Sequence, residues 1–354
     1  MEFGTQRILV TGGLGWLGRG LVHALTDGLP DVAALRSPPS DVAVRVLDAA
    51  PVGGTLGGRV EVVTGDVRDA GDCTRFCAGA KDAILFHTAG IIHPARVRDF
   101  YDVNVAGTRN VLAAAAAAGV RRAVVMSSNS PCGCNPHPDH RFDETSPYRP
   151  RTPYNASKAA ADHFVRAYHE TFGLPVTISN CSNNYGPYQF PEKVIPLFAT
   201  HALDDEPLPL YASTTHRREW LHVIDHCRAI ELVLEKGEVG ETYNVGSGVE
   251  ATIEQIADLV LDALGKPASL KTIVPDRPGH DRRYLLDSAK LRRELGWAPT
   301  VDFDDGIRDT VTWYASNRAW WEPLRDRAPV VESAWSGATS DAADVEGTDR
   351  ADSR

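Results

Sequence analysis

The segment Ile8-Leu-Val-Thr-Gly-Gly-Leu-Gly-Trp-Leu-Gly18 decides the fold. A short run suited to a buried strand leads into Gly12, Gly15 and Gly18, and an amphipathic helical pattern follows. Glycines at such a strand-to-helix turn let the chain reverse, let its backbone approach a pyrophosphate, and let the helix pack tightly on the strand, with phosphates at the helix N-terminus. The turn opens the first βαβ unit of the chain, which is the context the motif requires. It predicts a dinucleotide site in an α/β protein, with Trp16 and Leu17 among the contacts.

Working outward, β-branched runs alternate with helical stretches. Strands are expected at Ile8–Thr11, Val42–Leu47, Val60–Thr64, Ala83–His87, Ala123–Ser127 and Val176–Ser179. Helices are expected at Trp16–Thr26, Phe100–Ala118 and Pro153–Phe172. Right-handed crossovers between such strands lead to a doubly wound parallel sheet covered on both faces. Beyond Cys181 the chain is punctuated by Pro and Gly, around Pro187–Pro191, Pro207–Tyr211 and Pro275–Gly279. This predicts a first domain over 1–180 and a smaller, discontinuous lobe over 181–330, with Trp220–Leu234 and Thr242–Val245 returning part of 220–246 to the sheet. The Ser/Ala/Asp/Gly-rich tail, 331–354, lacks periodicity and is expected to be disordered.

The 354 residues carry 37 Lys+Arg against 47 Asp+Glu, a net charge of -10, which disfavours non-specific binding to nucleic acid. No 18-residue apolar run and no signal-like N-terminus are present, so no membrane association is expected and a cytoplasmic location is. The six cysteines, Cys73, Cys77, Cys132, Cys134, Cys181 and Cys227, do not have zinc-site spacing and read as small buried hydrophobes. No metal site is expected, although Cys132 and Cys134 near His137 and His140 have the chemistry for adventitious metal.

At the end of the second strand, Asp48 is placed to accept hydrogen bonds from ribose hydroxyls and to repel a 2′-phosphate, which favours NAD over NADP. The interval from Gly18 is lengthened by an inserted stretch, Leu29–Asp41, whose Arg36 is a competing candidate for a 2′-phosphate, while Arg45 lies within the strand. Asp66 and Val67 end the third strand, where the carboxylate can meet an adenine amino group or cap the next helix. Ala89 and Asn104 complete the expected cofactor contacts.

Tyr154-Asn-Ala-Ser-Lys158 begins a helix after Pro153, so Tyr154 and Lys158 share a face one turn apart. An ammonium beside a phenol lowers the phenol's pKa and prepares it as a general base. After the glycine turn, this pair resembles the extended short-chain dehydrogenase/reductases, a Rossmann-type α/β family. More narrowly, the chain is similar to the dTDP-glucose 4,6-dehydratases, which act on nucleotide sugars. The resemblance runs from about Arg7 to Leu324 and is densest in NNYGPYQFPEKVIPLF (183–198), PLYASTTHRREWLHVIDHCRAI (209–230), YNVGSG (243–248), DRPGHDRRY (276–284) and NRAWWEPL (317–324). It implies that Asn183, Lys193, Arg218, Asn244, Arg277 and His280 line a nucleoside-diphosphate site for a UDP- or dTDP-linked sugar, with Lys193, Arg218 and Arg277 supplying charge for two phosphates.

The resemblance also implies that Ser128 joins Tyr154 and Lys158 as the catalytic set. Here the chain departs from the pattern. The dehydratases it resembles carry S-T-D-E-V-Y-G after the fifth strand, with Asp as acid and Glu as base. This chain has Ser127-Ser128-Asn129-Ser130-Pro131-Cys132-Gly133. Asn129 and Ser130 then become substrate contacts rather than an acid/base pair. The loop 87–100 also lacks the family's acidic stretch, although His93 is a candidate to face the pocket.

All such enzymes begin by oxidising C4 of the sugar, the Tyr phenolate taking the hydroxyl proton. Dehydration then needs a strong base and an acid, which an amide and a hydroxyl supply poorly. C4 epimerisation needs neither, and decarboxylation of a uronic acid needs no strong base. The sequence therefore ranks 4-epimerase first, decarboxylase second and dehydratase third, the last requiring His137, Asp139, His140 or another group of the 135–144 loop. A dinucleotide sensor is the non-enzymatic alternative. The Ala-rich faces of the Phe100–Ala118 and Pro153–Phe172 helices suggest a homodimer.

Overall fold

The computed structural model describes residues 7–27, 43–49, 56, 60–92, 96–133, 140–213, 216–276 and 283–325. The stretch Leu29–Asp41 with Arg36, the loop residues His93, Cys134, His137 and Asp139, the candidate ligands Arg277 and His280, and the tail all lie outside the described residues.

In the first half, strands β1 (Arg7–Thr11), β2 (Ala43–Asp48), β3 (Val60–Thr64), β4 (Ile84–His87), β5 (Arg122–Ser128) and β6 (Val176–Cys181) alternate with helices α1 (Trp16–Asp27), α2 (Ala70–Phe76), α3 (Val97–Asp99), α4 (Thr108–Ala118) and α5 (Pro153–Phe172). In the second half come β7 (Asn183–Tyr185), α6 (Val194–Leu203), β8 (Leu208–Tyr211), β9 (Arg217–His222), α7 (Val223–Lys236), β10 (Thr242–Val245), β11 (Glu250–Thr252), α8 (Ile253–Leu264), β12 (Lys271–Val274), β13 (Arg283–Tyr284), α9 (Ala289–Leu295), α10 (Phe303–Ser316) and α11 (Arg318–Arg325). The main sheet has the order β10-β6-β5-β4-β1-β2-β3, all parallel, as the doubly wound Rossmann reading requires.

Each face of this sheet buries its own core. Ile8, Val10, Val44, Phe86 and Val124 pack beneath α1, α7 and α9, whereas Leu9, Leu85, Val125 and Ile178 pack beneath α2, α4 and α5. A third core, containing Phe198, Trp220, Ile256, Val260, Ile307 and Trp321, holds the lobe together. The lobe has its own sheet, β11-β9-β13, with β7 paired to β9.

Thr242–Val245 joins the main sheet beside β6, while the strand containing Trp220 does not. That strand pairs with β7, β11 and β13 instead. The helix after it, α7, does cover the main sheet. From Arg218 to His222, β9 is buried on both faces, a pattern that identifies a strand but not the sheet it enters.

The expected helix over Phe100–Ala118 is interrupted. Phe100–Gly107 is a π-helix, and only Thr108–Ala118 is α-helical. The wider turn holds buried Asn104, whose Oδ1 accepts from the Ile91 N–H at 2.8 Å and whose Nδ2 donates to the Ile91 carbonyl and to Ser157 Oγ, at 3.0 and 2.9 Å. The alanine run then supplies helix propensity until Gly119, at φ +70°, ends it. By contrast α5 matches its expected limits. Thr152 Oγ1 caps it by accepting from the Asn155 N–H at 3.2 Å, Pro153 opens it and Gly173 closes it.

Candidate functional site

The glycine turn lies where the strand order reverses, between β1 and β4. Gly12 has φ +68°, and a Cβ there would stand 2.8 Å from the Ala89 Cα, so the ends of these two strands meet backbone to backbone. A Cβ on Gly18 would collide with the Gly12 carbonyl, and the Gly15 N–H donates to that carbonyl at 3.0 Å. The glycines thus let the turn pack backbone against backbone at the start of α1, and its chemistry fits a dinucleotide.

Asp48 stands at the end of β2, with Oδ2 accepting the Leu14 N–H at 3.0 Å. It braces the turn. The Trp16 indole N–H donates to the Pro187 carbonyl at 2.9 Å, tying the turn to the lobe, and Leu17 packs into the core beside α1. Asp66 corrects one expectation. It caps no helix, because the α2 cap is Asp69, whose Oδ1 accepts the Asp72 N–H at 2.8 Å. Instead Asp66 binds the Arg68 side chain at 2.6 and 2.9 Å, which holds its carboxyl below the ordinary range. Val67 is buried against Gly107, and its carbonyl accepts from Asn110.

At the ends of β5 and β6 the structure brings Ser128, Tyr154 and Lys158 together. Ser128 Oγ faces the phenol, donates to Asn129 Oδ1 at 3.4 Å and accepts the Ser130 N–H at 3.2 Å, and the Tyr154 ring leans on Phe100 with centroids 5.9 Å apart. The phenol's environment corrects the expectation of a lowered pKa. Burial pushes it up, Cys181 adds to the rise, and Ser128 opposes it. Lys158 Nζ donates to the Met126 carbonyl at 2.9 Å, and its own pKa is lowered by burial while Asp162 raises it.

Sequence reasoning missed Cys181 and Asp162. The Cys181 thiol, placed among small hydrophobes in the sequence reading, accepts from Asn184 Nδ2 at 3.2 Å, feels the Lys158 charge and is pushed up to about 11 by burial. Asp162 is fully buried one turn beyond Lys158. A Lys158-x-x-x-Asp162 spacing was the signal available for the second, while nothing in the sequence distinguished the first.

Asn129 and Ser130 are buried in a short 3-10 turn, and neither Asn129 Nδ2 nor Ser130 Oγ has a hydrogen-bond partner among the described residues. In the adjoining loop, His140 packs edge-on to Phe142, Asp143 Oδ1 accepts from Thr145 and Ser146, and Glu144 Oε1 accepts the Asn244 N–H at 2.8 Å. Asp143 thus serves the loop, and Glu144 ties the loop to β10. No cluster of metal-binding groups occurs among the described residues.

Of the nucleoside-diphosphate candidates, Asn183 begins β7, Lys193 caps α6 3.9 Å from Glu192, and buried Arg218 lies 5.1 Å over the Tyr284 ring. Asn244 is a correction. Its Nδ2 donates to the carbonyls of Phe142 and Asp287 and its Oδ1 accepts from Asn180, so it is a strut between segments rather than a ligand donor.

A profile of the NAD dependent epimerase/dehydratase family matches residues 8–246. The dTDP-glucose 4,6-dehydratase of Streptomyces niveus is 43% identical over 328 residues, covering 90% of this chain and 96% of that one. The enzyme of the same name from Streptomyces antibioticus is 42% identical over 343 residues, covering 94% and 100%. Among solved structures, the dTDP-glucose 4,6-dehydratase of Streptomyces venezuelae with NAD and TYD bound has a TM-score of 0.83 at 44% identity, covering 90% and 99%. The Thermus thermophilus UDP-glucose 4-epimerase in complex with NAD has 0.78 at 31%, covering 88% and 99%. No described helix is long and apolar enough to cross a membrane. The chain belongs to the NAD dependent epimerase/dehydratase family and is an NAD-dependent nucleotide-sugar enzyme of the extended short-chain dehydrogenase/reductase type.

Proposed function

We propose that the chain binds a dTDP-linked hexose and oxidises it at C4, with Tyr154 as base. The observation that carries this reading is the convergence of Ser128, Tyr154 and Lys158 at one end of the sheet, beside the glycine turn. NAD held by Gly12, Gly15, Gly18 and Asp48 would supply the hydride acceptor for C4. The Tyr154 oxygen accepts the C4 hydroxyl proton, Ser128 hydrogen-bonds that oxygen, and the Lys158 ammonium favours its anionic form against the cost of burial. The glycine turn would receive the pyrophosphate, and the Asp48 carboxylate the ribose hydroxyls. Arg218 and Lys193 supply charge toward the sugar's diphosphate, with Arg277 and His280 as further candidates.

For the overall reaction, the relatives' names support 4,6-dehydration ahead of the 4-epimerisation that the sequence ranks first. In that reading the C5 proton and the proton given to the C6 oxygen move through groups other than the Asn129 amide. C4 epimerisation is the second reading. It is favoured by Asn129-Ser130 at the position after Ser128, by the engagement of Asp143 within its loop and by that of Glu144 with the Asn244 N–H of β10. Incubation of the purified enzyme with dTDP-glucose in deuterated water separates the two. A 4-keto-6-deoxy product carrying deuterium at C5 is the dehydratase outcome, and a C4-inverted hexose without deuterium is the epimerase outcome. Neither product, with no NAD reduction, rejects C4 oxidation of this substrate.

A further inference from the structure

We infer that Asp162 is a positioning residue of this site, the counter-charge that keeps Lys158 an ammonium beside Tyr154. The inference rests on the reading of Lys158 as the group that supports the phenolate. Lys158 and Asp162 stand four residues apart on α5, the spacing that places two side chains on one face. Asp162 is 0% exposed in the middle of a helix that covers the main sheet. A carboxylate so placed needs a nearby cation to stay ionised, and its Oδ1 has no hydrogen-bond partner among the described residues. Arg166, one turn further on, is engaged elsewhere: its guanidinium donates to Tyr148 Oη at 3.1 Å and to Thr242 Oγ1 at 3.3 Å. Tyr148 in turn donates to Asp162 Oδ2 at 2.8 Å. That hydroxyl holds the carboxylate in place without neutralising it, which leaves Lys158 as the other cation on the same face.

The influences are reciprocal. Burial pushes Lys158 down, and Asp162 is the largest influence raising it. Burial pushes Asp162 up, and Lys158 is the largest influence lowering it. The other groups facing Lys158 are the Met126 carbonyl from β5, Cys181 from β6 and His87 from β4. Those facing Asp162 are Ser127, Tyr148, Arg166 and the Tyr154 phenol, which Asp162 itself pushes up, with Cys132 nearby. None of the remaining groups around Lys158 is a carboxylate, so Asp162 alone supplies a full opposite charge among the described residues.

The chain has seven lysines, Lys81, Lys158, Lys193, Lys236, Lys266, Lys271 and Lys290, few enough to resolve by NMR of the intact protein with labelled lysine. Lys158 is assigned as the resonance lost in Lys158→Arg. In Asp162→Asn its titration midpoint is expected to fall by about one pH unit or more, the scale of a lost opposite charge at close range. Asp162→Glu is expected to restore most of the shift, and the alkaline limb of kcat is expected to move with the midpoint. A midpoint equal to wild type in folded Asp162→Asn overturns the inference and leaves the residue a structural one. If that variant does not fold, the reciprocal measurement decides. In Lys158→Met the Asp162 carboxyl, followed by its labelled Cγ, is expected to titrate about one unit or more higher, and an unmoved carboxyl overturns the inference. Both NMR readouts work without substrate, so failure of the C4-oxidation reading leaves them intact.

Discussion

The glycine turn and the ends of β5 and β6 differ in how their polar groups are satisfied. At the glycine turn the protein completes its own bonding. The Gly12 N–H reaches the Leu47 carbonyl at 2.7 Å, the Leu14 N–H reaches Asp48, and Thr88 Oγ1 donates to the Thr11 carbonyl at 2.6 Å. At the ends of β5 and β6, Asn129 Nδ2, Ser130 Oγ, Asn180 Oδ1, Ser182 Oγ and Asn184 Oδ1 are buried with no partner among the described residues. Buried polar groups are normally paired, because an unmade hydrogen bond costs about 1–3 kcal/mol. The first region is therefore a finished scaffold shaped by backbone. The second carries unmet bonding capacity among its buried side chains.

The contrast breaks most readily at Tyr154. Tyr154→Phe is expected to lower the C4-oxidation rate by roughly 10²–10⁴-fold while NAD remains bound, since the ring retains its packing on Phe100. Rapid-quench kinetics and the NAD content of denatured protein check both halves. A variant faster than about a hundredth of wild type would remove Tyr154 as the base.

Gly18→Ala tests the finished region. The added methyl meets the Gly12 carbonyl and Thr88 Oγ1, so the turn must shift. An overpacking loss of about 1–3 kcal/mol in urea unfolding is expected, together with weaker NAD binding by titration calorimetry. Unchanged stability with unchanged NAD affinity would mean that the turn is not preformed.

Asn129→Ala tests the other region and should behave in the opposite way. Its Nδ2 has no partner to lose, so the unfolding free energy of the free protein should change by less than about 0.5 kcal/mol beyond the packing loss. KM for the nucleotide sugar should rise about five- to thirty-fold, the scale of one lost hydrogen bond to a ligand. A stability loss without a KM effect would make the residue structural.

The smallest effect concerns pH. His87 bridges Thr11 Oγ1 and Thr108 Oγ1 at 2.7 and 2.9 Å near the turn, and burial lowers it to about 3. His226, between Ser179 and Asn184 at the other end, is lowered to the same value. Below the ordinary histidine pKa of about 6.5, the unfolded chain takes up protons that these rings refuse, so stability falls as pH falls toward 3. Buried Glu219 and Glu231, raised to about 7 and about 8, act oppositely and lose stability as pH rises above the ordinary carboxyl range. His87→Gln should therefore flatten the acid limb by up to about 1.4 kcal/mol per pH unit, which urea titrations between pH 4.5 and 6.5 can measure. An unchanged slope would mean that the ring is protonated in the folded protein.

Much of this molecule was legible as local pattern. The glycine turn, the α5 limits set by Thr152, Pro153 and Gly173, and the Tyr154/Lys158 spacing each follow from a few adjacent residues, because turn geometry, capping and helical period act over one or two turns. Position at the sheet's switch point followed from alternation and crossover handedness. Tertiary structure alone decided what depends on partners distant in sequence. It assigned β9 to the lobe and saturated Asn244 with carbonyls 43 and 102 residues away. Packing also chose between options that are local in sequence, turning Asp66 to Arg68 in place of a cap and burying Asp162 one turn from Lys158. Sequence displays which chemistry a side chain carries. Whether that chemistry is used within the fold or left for a ligand depends on which groups the packed chain brings alongside and on how much water it excludes.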